Sequence, residues 1–229
     1  MIHVGIAPSI LTADLGRLTD EIAAAEAGGA DVIHIDVMDG QFVPQISFGP
    51  LIVEAVRKAT SLPIEAHMMV LEPLAQLESL ADAGAGRLIF HLEATAQPQK
   101  EITRAHELAC EVGIAISPQT PASALEPWLP QLDEVTVMLV HPGRGGQELI
   151  FEHLDKVGAV RNALDTVGRD AIIEVDGGVK THNAQQCVAA GANLLVAGSA
   201  VYNEHETPQE ALASLRNVIK SPNNTFPEQ

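Results

Sequence analysis

The chain has 229 residues, 46% of them hydrophobic, and a formal net charge of −17 from 30 acidic and 13 basic side chains. That length and apolar content allow one domain with a sizeable core. So few scattered Lys and Arg residues exclude a nucleic-acid binder and disfavour an anionic membrane surface. Residues 1–9 lack the basic start and long apolar run of a secretory signal, and no stretch approaches a membrane span, so a cytoplasmic protein is expected. Cys110 and Cys187 sit in helical apolar patterns without a CxxC pair, as reduced packing residues would.

Short apolar runs alternate with amphipathic segments along the chain. Strands are predicted at Ile2 to Ala7, Val32 to Val37, Ile64 to Met68, Arg87 to His91, Gly113 to Ile116, Glu134 to Leu139, Ile172 to Val175 and Leu194 to Ala197. Between them lie helical patterns such as Leu15, Leu18, Ile22 and Ala25; Ile102, Ala105, Leu108 and Ala109; and Ile150, Leu154, Val157, Val160 and Leu164. Asp14, Pro73, Pro98, Pro121, Thr181 and Pro208 stand where helices should begin, and Gly84, Gly113 and Gly191 just past the ends of others. Eight strand–helix units at near-even spacing favour a closed (β/α)8 TIM barrel over an open doubly wound sheet. Residues 1–220 form the single barrel domain in this reading, and residues 221–229, with Pro222 and Pro227, a polar tail.

The second predicted strand organises the rest. With a period of two, Ile33, Ile35 and Val37 fall on one face and His34, Asp36 and Met38 on the other, and the run stops at Asp39-Gly40. The third puts His67 and Met69 on a common face, and the seventh ends at Asp176. In a barrel the C-terminal strand ends meet at one mouth, so His34, Asp36, His67 and Asp176 become neighbours there. A polar inward position on a helix-covered strand must be paired, hydrated or bound to a cation. Two imidazoles and two carboxylates make one divalent ion locally neutral, a set that suits zinc, iron(II), cobalt or manganese. Three late loops are rich in glycine: Gly143 with Gly145 and Gly146, Gly177 with Gly178, and Gly198 beside Ser199. Loops in those positions of a barrel are where backbone N–H groups hold a phosphate.

The segments Ala7 to Leu11, His34 to Gly40 with Phe42-Val43-Pro44, His67 to Val70, Pro142-Gly143 with Gly145-Gly146-Gln147, Glu174 to Val179 and Val196 to Ala200 resemble, in order, the signatures of ribulose-phosphate 3-epimerases. The resemblance implies a barrel of the ribulose-phosphate-binding type acting on a phosphorylated ketose, with D-ribulose 5-phosphate and D-xylulose 5-phosphate interconverted. It implies His34, Asp36, His67 and Asp176 as metal ligands, Asp36 and Asp176 doubling as the two acid/base groups. It also implies Ser9 on the sugar, Met38, Met69 and Met138 lining the site, and the late glycines with Ser199 on the phosphate. The chemistry agrees: inverting a carbon beside a ketone needs one base on each face of a planar enediolate.

The chain departs from the family pattern at Gln41, Gln45, Ser117, His141 and Arg144, polar or charged positions expected near the mouth. These motivate two rivals, an epimerase for a hexulose 6-phosphate such as allulose 6-phosphate and a non-catalytic sugar-phosphate-binding barrel. His91 is expected to lie beside the site or to be merely packed, and His182 on the surface. A homo-oligomer is left open.

Overall fold

The computed structural model describes residues 3–220. The tail expected over 221–229 and Ile2 of the first predicted strand lie outside the described residues. Eight strands form one parallel sheet: β1 Gly5–Pro8, β2 Ile33–Met38, β3 Ile64–Met69, β4 Arg87–His91, β5 Glu111–Ile116, β6 Glu134–Met138, β7 Ile172–Asp176 and β8 Leu194–Ala197. From β2 to β8 each pairs with the next in sequence, and β1 pairs with β8. The remaining seam, β1 to β2, is joined by a Ser9–His34 bridge and by the Asp31 N–H donating to Ile6 O at 3.0 Å, so the barrel is nearly closed.

Helices α1 Leu18–Ala27, α2 Pro50–Ala59, α3 Leu77–Asp82, α4 Pro98–Glu107, α5 Leu154–Val167, α6 Ala184–Ala190 and α7 Pro208–Lys220 cover the outside. Their buried faces, such as Val157, Val160 and Leu164 of α5, pack on the outward residues Ile33, Ile35, Val137, Ile173 and Val175 in one continuous core. The strands are therefore apolar outside, and whatever distinguishes the protein faces inward. No helix among the described residues is long and apolar enough to cross a membrane.

Two expectations need correction. The crossover from β5 to β6 is not an α-helix but two short 3-10 turns, Ala122–Leu125 and Leu129–Gln131. Pro118, Pro121, Pro127 and Pro130 punctuate this segment, each removing a backbone donor that a longer helix would need. Gly113 does not follow a helix but lies inside β5; the left-handed position after α4 belongs to Ala109, at φ 57°. Gly113 instead makes room in the interior, since a Cβ there would sit 3.0 Å from Ile89 Cγ1 and 3.3 Å from Glu134 Cβ.

The seam is stapled by Asp31. Its Oδ2 accepts the Ile6 N–H at 2.7 Å and pairs with Arg216 of α7, which also donates to Val4 O and Gly29 O. Burial raises the Asp31 pKa, but the Ile6 N–H and Arg216 outweigh it, leaving the carboxyl below its ordinary value. The carboxylate thus adds stability above its unfolded pKa and loses it as pH falls through the lower folded value. Asp31→Asn is expected to reduce the unfolding free energy by about 2 kcal/mol at neutral pH. In urea titrations the gap from the parent should narrow as pH falls below roughly 4; a pH-independent gap would contradict the charge-based account.

Candidate active and metal site

The inward residues of β2, β3, β6 and β7 come to the barrel mouth in register, with Asp36 beside His67, Met38 beside Met69, and Met138 beside Asp176. All four proposed ligands converge there. His67 Nδ1 lies 3.2 Å from Asp36 Oδ1 and 3.4 Å from Asp176 Oδ2, and His34 Nε2 lies 3.4 Å from Asp36 Oδ1. One ligand atom from each residue falls within 4.8 Å of the others. His34 and His67 are fully buried, and Asp176 is the most exposed of the set, at 15% of its side chain.

These residues suit a divalent ion on their own geometry. His34 Nε2 is buried and has no hydrogen-bond partner, while Nδ1 of the same ring faces Glu65 Oε1 at 2.8 Å. With the Nδ1–H donated to Glu65, Nε2 faces the cluster as the ring atom that an ion would take in exchange for its proton. Burial lowers the pKa of both imidazoles, but the surrounding carboxylates more than reverse it. Asp36 and Glu174 raise His34 well above its ordinary value, and Asp176 and Asp36 raise His67. Burial opposes ionisation of Asp36 too, yet His34 and His67 hold it far below the carboxylate range. The cluster thus holds Asp36 as a carboxylate against two imidazoles that gather positive charge, in the place a divalent ion would take.

A cleft enclosing about 560 Å³ of non-protein space, open mouth included, opens above the cluster. Ser9, Met38, Met69 and Met138 border it, and the Ser9 hydroxyl donates to Asp36 Oδ2 at 2.6 Å. The methionines are buried, and Met38 and Met69 pack with Val43, Leu11 and Phe42 in a small apolar group of their own. Gly143, Gly145, Gly146, Gly177, Gly178, Gly198 and Ser199 line the cleft as well. Several of these glycines answer to packing as well as to any ligand. At Gly178, φ is 69° and a Cβ would lie 2.3 Å from Leu149 N; at Gly143, φ is 107° and a Cβ would lie 2.7 Å from Val43. Only Gly146, at φ 74°, has open space where its Cβ would be.

Of the five departures, only His141 and Arg144 border the cleft. Gln41 and Gln45 are exposed away from it, and Ser117 is buried beside His91. His182 is on the surface, as expected. His91 is fully buried and touches the cluster directly: its Nε2 is 2.9 Å from His67 Nε2, and its Nδ1 is 3.1 Å from Glu93 Oε2. Burial raises the Glu93 pKa, but His91, Thr120 and the Ser117 N–H bring it down to about 2. Glu93 thus anchors His91, which in turn fixes the ring of His67.

Sequence reasoning missed three contributors. Asp39 ties the loops together, Oδ1 accepting the N–H groups of Gln41 and Phe42 and Oδ2 that of Leu71. Thr12 borders the cleft with its hydroxyl buried and unpartnered. Below the ligands lies a polar interior of Glu65, Arg87, Glu134, Thr136 and Glu174, all buried. Alternation carried a signal for it, since Glu65 shares a face with His67, Arg87 with His91, Glu134 with Met138, and Glu174 with Asp176.

Fold and site together define a class: a (β/α)8 barrel whose mouth gathers a metal-capable cluster under glycine-rich loops. A family model described as the ribulose-phosphate 3 epimerase family matches residues 5–202. The chain is 46% identical over 217 residues to a ribulose-phosphate 3-epimerase of Synechocystis, covering 94% of each chain. It is 46% identical over 214 residues to that of Bacillus subtilis, covering 93% of this chain and 98% of the relative. The chain belongs to the ribulose-phosphate 3-epimerase family. Among solved structures, 3-hexulose-6-phosphate synthase from Salmonella typhimurium shares the fold, with a TM-score of 0.71 at 17% identity over 94% of this chain and 98% of that one.

Proposed function

We propose that this protein interconverts D-ribulose 5-phosphate and D-xylulose 5-phosphate, with residues 1–220 as one catalytic barrel and Asp36 and Asp176 as its two proton-transfer groups. The observation that carries the reading is the pair of carboxylates flanking His67 Nδ1, at 3.2 and 3.4 Å, on the floor of the cleft. Family membership supplies the substrate class, a sugar phosphate.

One carboxylate takes the C3 hydrogen as a proton, leaving a planar enediolate, and the other returns a proton to the opposite face. His34, Asp36, His67 and Asp176 would hold a zinc, iron(II), cobalt or manganese ion. When bound, the ion supplies positive charge that offsets the charge developing on the substrate oxygens, worth several kcal/mol in such a site. The Ser9 hydroxyl holds one oxygen of Asp36 while the other faces the imidazoles, so the carboxylate keeps one orientation. Met38, Met69 and Met138 exclude water around the reacting carbon. Backbone N–H groups of Gly143, Gly145, Gly146, Gly177, Gly178, Gly198 and Ser199 receive the phosphate, with Arg144 at the rim able to add a charged contact.

Incubating the metal-loaded protein with ribulose 5-phosphate in heavy water should yield xylulose 5-phosphate carrying deuterium at C3. Sugar-phosphate binding without deuterium uptake would replace this reading with a non-catalytic barrel. Turnover confined to allulose 6-phosphate would replace it with a hexulose-phosphate epimerase. That rival is weakened by the position of Gln41, Gln45 and Ser117 outside the cleft lining.

A further inference from the structure

We propose that Arg87, at the start of β4 and remote from the cleft, is a positioning residue for the metal centre, holding the His34 ring in register through Glu65. The inference rests on the reading of His34, Asp36, His67 and Asp176 as metal ligands.

The interior beneath the site is unusual for a barrel, where stacked branched apolar side chains are the rule. The larger apolar group lies on one side, as Ala7, Val32, Leu194 and Val196 with Ile172, while Ile89 and Ala115 fill part of the other. On the other side Arg87 is the hub. Its Nη1 donates to Glu65 Oε2 at 2.9 Å and to Glu134 Oε2 at 2.7 Å, and its Nε and Nη2 donate to Glu111 Oε2 at 2.9 and 2.6 Å. Glu65 and Glu134 are fully buried, whereas Glu111 lies at the rim with 57% of its side chain exposed.

The hub matters to the ion because His34 Nδ1 has two carboxylates within reach. Glu65 Oε1 is at 2.8 Å and Glu174 Oε2 at 3.7 Å. Glu174 is held on its other oxygen by the Thr136 hydroxyl at 3.0 Å, leaving Oε2 buried and unpartnered. It is a standing competitor for the same N–H. Arg87 settles the contest by fixing Glu65, which keeps the His34 ring turned so that Nε2 points at Asp36 and the other ligands. Without Arg87, the second oxygen of Glu65 loses its donor, the carboxylate can rotate, and the His34 ring can swing toward Glu174. Nε2 then leaves the common point. Groups that hydrogen-bond a ligating histidine in this way commonly control metal affinity by 10- to 100-fold.

Arg87→Met alone would strand two buried carboxylates, so the test pairs it with Glu134→Leu. Cobalt(II) is titrated calorimetrically into metal-free parent, R87M/E134L and the surface variant E111Q, with circular dichroism as the check on folding and the cobalt absorption bands recorded at saturation. R87M/E134L is expected to bind cobalt with a Kd at least about tenfold higher and with shifted bands, and E111Q, which only loosens Arg87, with a Kd about threefold higher. A folded R87M/E134L with a Kd within twofold of the parent and unchanged bands would overturn the role of Arg87. Should the double variant fail to fold, E111Q decides, and an unchanged Kd there overturns it. A parent that binds no cobalt would overturn the metal site itself, and the role of Arg87 with it.

Discussion

Asp176→Asn is expected to lower kcat for ribulose 5-phosphate epimerisation by about 10³-fold or more while the barrel stays folded. The amide can still offer an oxygen to an ion but cannot take or give a proton at neutral pH. Its neighbours tolerate the change sterically, because Asp176 sits at the end of β7 with part of its side chain open to the cleft. The variant should also separate two events that the parent couples. Asp36 remains, so one epimer should still exchange its C3 hydrogen with heavy water without forming the other. Proton NMR of the recovered substrate measures that exchange, and an enzymatic assay for the product measures epimerisation. Turnover within tenfold of the parent would remove Asp176 from the chemistry.

Removing the metal is expected to have an effect of similar size. Treatment with a chelator should reduce turnover by roughly 10³-fold, corresponding to the several kcal/mol that a cation contributes to charge developing in a shielded site. The reason lies in the balance of charge on the cleft floor. In the proposed reaction negative charge grows on the sugar between Asp36 and Asp176, which flank His67, while Glu65 and Glu174 stand below beside His34. Without the metal ion the positive charge on the floor is that of His34 and His67, already paired with Asp36 and Asp176, and no lysine or arginine is among the floor residues to add to it. Arg144 borders the cleft among the late glycine loops rather than on its floor. Activity should return on adding back cobalt, manganese, iron(II) or zinc, each to its own extent. Full turnover in metal-free protein would show that the imidazoles alone carry the charge.

Much of this was legible in the amino-acid sequence because a parallel barrel leaves a simple signature. Strands covered by helices must be apolar outward, so Ile33, Ile35 and Val37 marked one face of β2 and threw His34 and Asp36 into relief on the other. The same logic placed His67 and Asp176. Helix boundaries were legible where one residue dominates, as at Pro98 and Pro208, which begin α4 and α7. They were not where tertiary demands competed. Pro121 looked like a helix start, but three further prolines in its segment limit the chain to 3-10 turns. Gly113 looked like a helix terminator, but the interior needs its missing Cβ.

The polar half of the interior was the larger omission. Glu65, Arg87, Glu134 and Glu174 each read singly as a charged residue in an apolar run. Their meaning depends on register: Glu65 lies beside Arg87 and Arg87 beside Glu111 in the ladder, and Thr136 beside Glu174. Pairing of strands remote in sequence fixes such contacts, and no local pattern encodes them. The cost of burying these charges is offset only because the guanidinium is shared among three carboxylates. Burial and the nearby Glu65 still push Glu134 up to about 8, with Arg87 opposing.

The most direct measurement is anomalous diffraction from crystals of the protein loaded with cobalt and recorded at the cobalt edge. One strong peak is expected at the barrel mouth, within about 2.0–2.2 Å of a nitrogen or oxygen from each of His34, Asp36, His67 and Asp176. No peak there in fully loaded crystals, or a peak bound by other residues while those four stay hydrogen-bonded to one another, would contradict the metal-assisted two-carboxylate site.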